Sequence, residues 1–282
     1  MKRHDGRIIK SLGPFEKLYP FIIEKRSDAQ VYAKQIILTK GIDNYIRAKR
    51  AEDVKITYLH VFIAVYLRAI AQRPYVNRFI MNGKVYARKG ISFSMVVKPD
   101  LRDSGPEITV KFSFTGHETI TEVTEIINKT IEEAKHAPSE TETGKLVSFI
   151  LSMPGIFKKA LVGLIKWTDR HNLLPKSVID ASPFHATMFL TYLKSIRTDY
   201  VYHHPYNVGT AGVFAALGKT EMLPVVENGQ VVARKCCAIG YSFDDRICDG
   251  LYMANSFSLA KKYFLDPSLL ETRLEEITED ID

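Results

Sequence analysis

The clearest hydrophobic pattern in the chain predicts a buried helix from Thr57 to about Gln72. Its apolar residues recur every three or four positions and so share one helical face: Leu59, Phe62, Ile63, Tyr66, Leu67 and Ile70. Thr57 is a suitable N-cap, and Pro74 ends the pattern. We interpret His60, beside the apolar stripe, as a structural histidine. Residues 119–135 form a second amphipathic pattern.

Runs rich in β-branched and apolar residues predict strands at 31–38, 91–98, 107–114 and 209–218. The pairs Asn82-Gly83 and Asn228-Gly229 each separate two apolar segments, which is typical of a two-residue hairpin turn. Further helices are predicted at 42–50 and 251–264. Strands in runs with helices between them predict an α+β protein with a mixed or antiparallel sheet.

We predict one domain over residues 1–282, with a basic N-terminal segment (1–27), a polar loop or hinge (136–144) and an acidic C-terminal tail (266–282). After the hinge, an apolar stretch is interrupted by lysines, and Pro154 is able to open a helix there. This stretch suits a membrane surface or, as we prefer, packing on the domain or on a partner subunit. No apolar run reaches the ~20 residues of a membrane span, and no signal core follows the N-terminus, so we expect a cytoplasmic protein without a membrane span.

The balance of 39 Lys and Arg against 32 Asp and Glu gives a net charge of +7. A basic surface attracts nucleic acids, membranes or anionic cofactors such as coenzyme A. The chain lacks basic stripes interleaved with aromatic residues and RNA-binding signatures, so we expect no nucleic-acid partner. Of the three cysteines, Cys236 and Cys237 are neighbours in a predicted strand and point to opposite faces. We therefore expect neither a disulfide framework nor a metal site.

The segment GYSFDDRICDG, residues 240–250, resembles the SFDHRxxDG motif of 2-oxoacid dehydrogenase acyltransferases and the HHxxxDG motif of chloramphenicol acetyltransferases. Other segments agree with these families in order, among them IDNYIRAKR, ETITEVTEIINKTIEEAK, FLTYLKSI and GTAGVFAALG. The resemblance covers roughly residues 28–264. It implies a chloramphenicol acetyltransferase-like fold with a mixed sheet flanked by helices, and a homotrimer. It leaves no room for a lipoyl domain in this chain.

In the resembling enzymes, the motif histidine acts as a general base during attack on an acyl thioester, and a hydroxyl or amide donor stabilises the oxyanion. The resemblance places Asp245 at the position of that histidine and Thr191 at the position of the donor. It gives Asp249 and Gly250 a structural role, with Asp249 bound to an arginine and to backbone donors. It also places Lys194 and Arg197 where the families have glycines.

Asp245 is a weak base, since a free aspartate has a pKa near ~3.9, although burial can raise that pKa. His203 or His204 is the alternative source of an imidazole, and His117 and His185 are less suited. Two functions remain open. The first is transfer of an acyl group from a coenzyme A-type thioester to an unknown acceptor. The second is binding or scaffolding by a non-catalytic relative, a pseudoenzyme. The sequence identifies no cofactor-binding residues.

Overall fold

The computed structural model describes residues 3–98, 107–136 and 152–282. The strands are β1 (Gly6–Ile8), β2 (Gln30–Leu38), β3 (Arg78–Met81), β4 (Lys84–Arg88), β5 (Ile91–Val97), β6 (Ile108–Phe114), β7 (Met188–Tyr192), β8 (Val213–Glu227) and β9 (Gln230–Asp244). The helices are α1 (Pro14–Ile22), α2 (Lys40–Ala51), α3 (Tyr58–Gln72), α4 (Ile120–His136), α5 (Gly155–Arg170), α6 (Lys176–Ala181) and α7 (Gly250–Leu265). Short 3₁₀-helices cover Pro74–Asn77, Leu193–Ile196 and Pro267–Leu270. Apart from His136, which ends α4, the predicted hinge 136–144 lies outside the described residues.

A six-stranded mixed sheet organises the fold, in the order β2-β9-β8-β7-β5-β6. Strand β7 is parallel to both of its neighbours, and the other pairs are antiparallel. A smaller antiparallel sheet has the order β1-β4-β3. The α+β fold with a mixed sheet flanked by helices is confirmed.

The main core lies between one face of the large sheet and helices α3, α4 and α7. Helix α3 is buried along almost its whole length, as its apolar pattern predicts, and it follows directly after Thr57. The Tyr66 hydroxyl of α3 lies 2.9 Å from the Tyr241 hydroxyl of β9, so that the two phenols satisfy each other within this core.

The two Asn-Gly turns form as predicted. Asn82 and Gly83 have φ angles of 50° and 71° between β3 and β4, and Asn228 and Gly229 have φ angles of 52° and 78° between β8 and β9. Both angles are positive in each turn, which is the geometry of a type I′ hairpin.

The strand predicted at 209–218 has different bounds in the structure. Strand β8 begins at Val213 and continues to Glu227, so that β8 and β9 extend as a long ribbon. The residues before it are loop, because the N–H groups of Thr210 and Ala211 both donate to the Phe184 carbonyl rather than to a neighbouring strand.

The second face of the large sheet carries no helix of the main core. It presents alternate residues of the central strands, including Phe189 of β7 and Phe214 of β8. Residues 198–209, the crossing segment, run over this open face. They approach it closely at two glycines: a β-carbon would lie 2.6 Å from the Tyr200 nitrogen at Gly218 and 2.5 Å from the Val201 oxygen at Gly240. Only glycine permits this contact without displacement of the segment.

Candidate functional site

The end of β9 carries a buried ion pair within the motif. Asp244 is the last residue of β9, lies opposite Gln30 of β2 and is fully buried. Arg246 binds it through two parallel hydrogen bonds, Nε to Oδ1 at 2.7 Å and Nη2 to Oδ2 at 2.7 Å. Arg26 Nε lies 3.5 Å from Oδ2. Such a bidentate pair fixes the direction in which the chain leaves the strand.

The same two arginines hold three parts of the chain together. Arg246 Nη1 donates to the carbonyls of Ile23 and Glu24, at 2.7 and 3.0 Å. Arg26 donates to the carbonyls of Tyr206 and Gly209, at 2.6 and 3.0 Å. The N-terminal segment, the motif and the crossing segment therefore share one buried network.

Asp245, at the position of the families' histidine, is half-buried beside helix α1. Its backbone N–H donates to the Ala29 carbonyl at 2.8 Å. The Tyr19 hydroxyl donates to its Oδ2 at 3.1 Å, and this hydrogen bond raises the pKa of Tyr19. The Asp245 carboxylate therefore acts as a hydrogen-bond acceptor, and both of its named partners come from the N-terminal part of the chain.

The expected backbone donor to Asp249 is present, but the expected arginine partner is absent from the described structure, so that part of the prediction is wrong. Asp249 is exposed and is the N-cap of α7, where its Oδ1 accepts the Tyr252 N–H at 2.8 Å. Gly250 is the first residue of that helix. The motif's arginine-bound carboxylate is Asp244 instead, because its position at the end of β9 is buried and therefore needs charged partners.

Thr191 and Asp245 lie apart within one chain. Thr191 on β7 is level with Ala216 on β8, which is level with Gly240 on β9. Asp245 lies five residues beyond Gly240, or about 16 Å along an extended strand. The two candidate residues thus lie well apart along the strand direction within one subunit.

The histidine pair lies closer to Thr191. The His203 ring stacks on the open face, with its centroid 5.5 Å from that of Phe214 and 6.5 Å from that of Phe189. Thr191 is two residues from Phe189, so it points to the same face about 7 Å further along the strand. The exposed His204 ring stacks on His203 at 4.9 Å. His203 and Thr191 therefore share the open face.

The two less suited histidines are engaged elsewhere. His185 is buried, with Nδ1 2.8 Å from Ser182 Oγ and Nε2 3.1 Å from Asp169 Oδ2. His117 Nδ1 lies 2.6 Å from the Leu274 carbonyl oxygen. His185 joins its loop to Asp169 at the end of α5, and His117 joins its loop to the C-terminal tail, which agrees with structural roles for both histidines.

The backbone after Thr191 is held tightly although the families' glycines are replaced. Lys194 lies in a 3₁₀-turn, where its ammonium donates to Thr220 Oγ1 at 3.2 Å and lies 4.2 Å from the Tyr58 ring centroid. Arg197 has a φ angle of 55°, in the left-handed region that glycine favours. The chain thus keeps a glycine-like conformation at this position with an arginine side chain.

Sequence reasoning missed the charged network around the motif. Asp244 and Arg246 were visible in the sequence as part of DDR, but Arg26 and Tyr19 lie in the N-terminal segment, outside any quoted motif.

Within the ranges that the structure describes, no three His, Cys, Asp or Glu side chains come together to hold a metal ion. The described helices include none that is long and apolar enough to cross a membrane.

Comparisons with known proteins agree with this fold. Residues 199–272, which include the motif, match the family model of the 2-oxoacid dehydrogenases acyltransferase catalytic domain. A search of curated proteins finds no match.

Among solved structures, a probable dihydrolipoamide acetyltransferase from Listeria monocytogenes superposes with a TM-score of 0.57 at 14% identity, over 91% of this chain and 96% of that one. The Azotobacter vinelandii dihydrolipoamide acetyltransferase gives 0.57 at 13% identity, over 93% of each chain. A chloramphenicol acetyltransferase gives 0.55 at 13% identity, over 93% of this chain and 100% of that one.

These matches confirm the resemblance over most of the chain at the level of fold and over the motif region at the level of sequence. The chain has the fold of the 2-oxoacid dehydrogenase acyltransferase catalytic domains and of chloramphenicol acetyltransferase, and its residues 199–272 match the acyltransferase family.

Proposed function

We propose that this protein is a cytoplasmic acyltransferase that moves an acyl group from a coenzyme A-type thioester to a thiol or hydroxyl acceptor. The observation that carries the proposal is the placement of His203 and Thr191 on the same open face of the sheet. His203 supplies the imidazole that the motif lacks, and Thr191 supplies a hydroxyl for the oxyanion. Imidazole is the side chain that most often serves as a general base in enzymes.

A homotrimer is part of this proposal. Thr191 and Asp245 are separated within one chain, and the open face carries no helix of the main core. A neighbouring subunit packed against that face would close a channel over Thr191. Asp245 of one subunit would then line the channel of the next, held in place by Tyr19.

The test is the formation of free coenzyme A from acetyl-coenzyme A and other short acyl-coenzyme A thioesters, measured by chromatography, as the acyl group passes to an added thiol or hydroxyl acceptor or to water. We expect His203→Asn to lower kcat by roughly 10²–10⁴-fold, the usual contribution of a general base. Thr191→Val, which replaces the hydroxyl with a methyl group of similar size, should lower kcat by about 10²–10³-fold. His204→Asn is the matched control, because it changes the neighbouring, exposed imidazole, and it should retain the activity. Equal losses from His203→Asn and His204→Asn would contradict the role of His203.

A second function, binding without catalysis, is favoured by the carboxylate at the histidine position. Asp245 accepts a hydrogen bond from Tyr19 and has no imidazole partner among the described contacts. On this alternative, the wild-type protein binds the thioester without turnover, and Asp245→His creates acyl transfer. Turnover by the wild type would exclude this alternative, and its survival in Asp245→Asn would show in addition that the carboxylate is not the base.

A further inference from the structure

A cavity of about 520 Å³ opens beside the motif's charged network. It lies between the segment after α1, the turn between β3 and β4, helix α5 and the crossing segment. Its volume falls in the range of ~300–1,000 Å³ that is usual for small-molecule sites. An inference about ligand binding in this cavity does not rest on the acyl transfer proposed above.

Positive charge dominates the cavity wall. Five cationic side chains line it: Lys25, Arg26, Lys166, Arg170 and Arg246. The two carboxylates in the wall are Glu24 and Asp169. Asp169 is already bound, 2.8 Å from an Arg3 nitrogen and 3.1 Å from His185 Nε2, so it offers little compensation to the five cations.

The inner wall holds a buried excess of positive charge. Arg26 and Arg246 are only 6% and 8% exposed, and both are paired with the same carboxylate, Asp244. Arg26 Nε has no hydrogen-bond partner in the described structure. Burial lowers the pKa of Arg26, which reflects the cost of keeping this cation away from water. A buried cation without full compensation is unfavourable, so an anion in the cavity would stabilise the wall.

The outer wall supplies cations that are free to meet a ligand. Lys25, Lys166 and Arg170 are exposed, and none of them forms an ion pair with a described residue. Lys166 and Arg170 are four residues apart on α5 and therefore lie on the same side of that helix. Like charges at this spacing repel each other, and an anion between them would remove the repulsion.

We propose that this cavity binds a small molecule with two or more negatively charged phosphate or carboxylate groups. The buried guanidinium groups of Arg26 and Arg246 form its positive floor. Lys166 and Arg170 contact the ligand directly, and the exposed lysine at position 25 adds a third cation to the same cavity wall. Arginine suits planar, two-point recognition of such groups, whereas lysine acts as a point charge.

The experiment is a calorimetric titration with inorganic pyrophosphate and, separately, with citrate. The double variant Lys166→Glu/Arg170→Glu should weaken binding by at least about tenfold, because charge-assisted contacts are among the strong hydrogen bonds. The control, Lys158→Glu/Lys159→Glu, changes the net charge by the same amount on the same helix but outside the cavity wall. It should leave the Kd within about twofold, and circular dichroism should show both variants folded.

Each outcome decides the proposal. Binding of pyrophosphate alone identifies a phosphate ligand, and binding of citrate alone identifies a carboxylate ligand. Failure of both to bind at about 10 mM would overturn the proposal, since that concentration exceeds the Kd of even weak specific sites. Equal weakening by the two double variants would also overturn it, because it would show attraction to the general surface charge. Because no thioester is used, these results are independent of acyl transfer.

Discussion

At the scale of single residues, two of the motif's three aspartates, Asp244 and Asp249, have different structural tasks. Asp244 is fully buried between Arg246 and Arg26, whereas Asp249 is exposed at the start of α7. Removal of a buried carboxylate leaves its cationic partners uncompensated, but removal of an N-cap loses one hydrogen bond to the backbone. The first loss is the larger one.

We therefore predict that Asp244→Ala lowers the free energy of unfolding by about 3–5 kcal/mol. Asp249→Ala should lower it by about 1 kcal/mol, the usual value for an N-cap. Urea denaturation of the two variants measures both values. A greater loss in Asp249→Ala than in Asp244→Ala would show that the buried network is not the stabilising one.

The sequence alone could not assign these tasks correctly. The resemblance assigns roles according to position in the motif, and it therefore predicted that the arginine would bind Asp249. Which aspartate is buried depends on where β9 ends and on Arg26, a residue from the opposite end of the chain. A carboxylate and its distant partner leave no local pattern in the sequence, whereas the pair Asp244 and Arg246 does.

At the scale of elements, local signals were sufficient for the hairpins and for α3. An Asn-Gly turn specifies its own backbone angles, and the apolar stripe of α3 specifies a buried face. Helix α1 was not predicted, because it contains Pro20 and exposes large apolar residues such as Phe15, which is 86% exposed. The arm of the second hairpin before Asn228 was predicted, but its continuity with the strand predicted at 209–218 was not, because the residues between them lack a continuous apolar pattern.

The first turn of helix α3 contains His60, whose position stabilises the start of the helix. The Thr57 N–H donates to His60 Nδ1 at 3.2 Å, so Nδ1 must be unprotonated, and the ring is buried. Burial lowers the pKa of His60 to about 4, from 6.5. The unfolded chain therefore binds a proton more readily than the folded chain between these two pH values.

We predict that the contribution of His60 to stability is fully present above pH 6.5 and is lost as the pH falls towards 4. The loss should amount to about 3 kcal/mol. His60→Gln keeps an acceptor for the Thr57 N–H, as in a usual capping box, but does not titrate. Urea denaturation between pH 7 and 4 should show a smaller loss for this variant than for the wild type, and parallel curves would contradict the assignment.

At the scale of the whole molecule, a single subunit leaves several large apolar side chains exposed to solvent. Large apolar side chains are exposed on two separate helices, with Phe15 on α1 and Ile156 on α5 at 86% and 76%. The crossing segment adds Tyr202, at 44%. Exposed apolar residues clustered on particular elements are typical of interaction sites rather than of a surface that faces water alone.

We therefore expect a homotrimer of about 96 kDa, three times the 32.0 kDa mass of the chain. Three-fold symmetry places equivalent faces of all subunits in the same contact, so each open face would meet a neighbour and each site would be completed in the same way. Sedimentation equilibrium at about 10 µM measures the mass. The trimer should persist in about 0.5 M NaCl, because salt screens charges but does not weaken apolar burial. A monomer of 32.0 kDa under these conditions would contradict the trimer and remove the neighbour on which the channel over Thr191 depends.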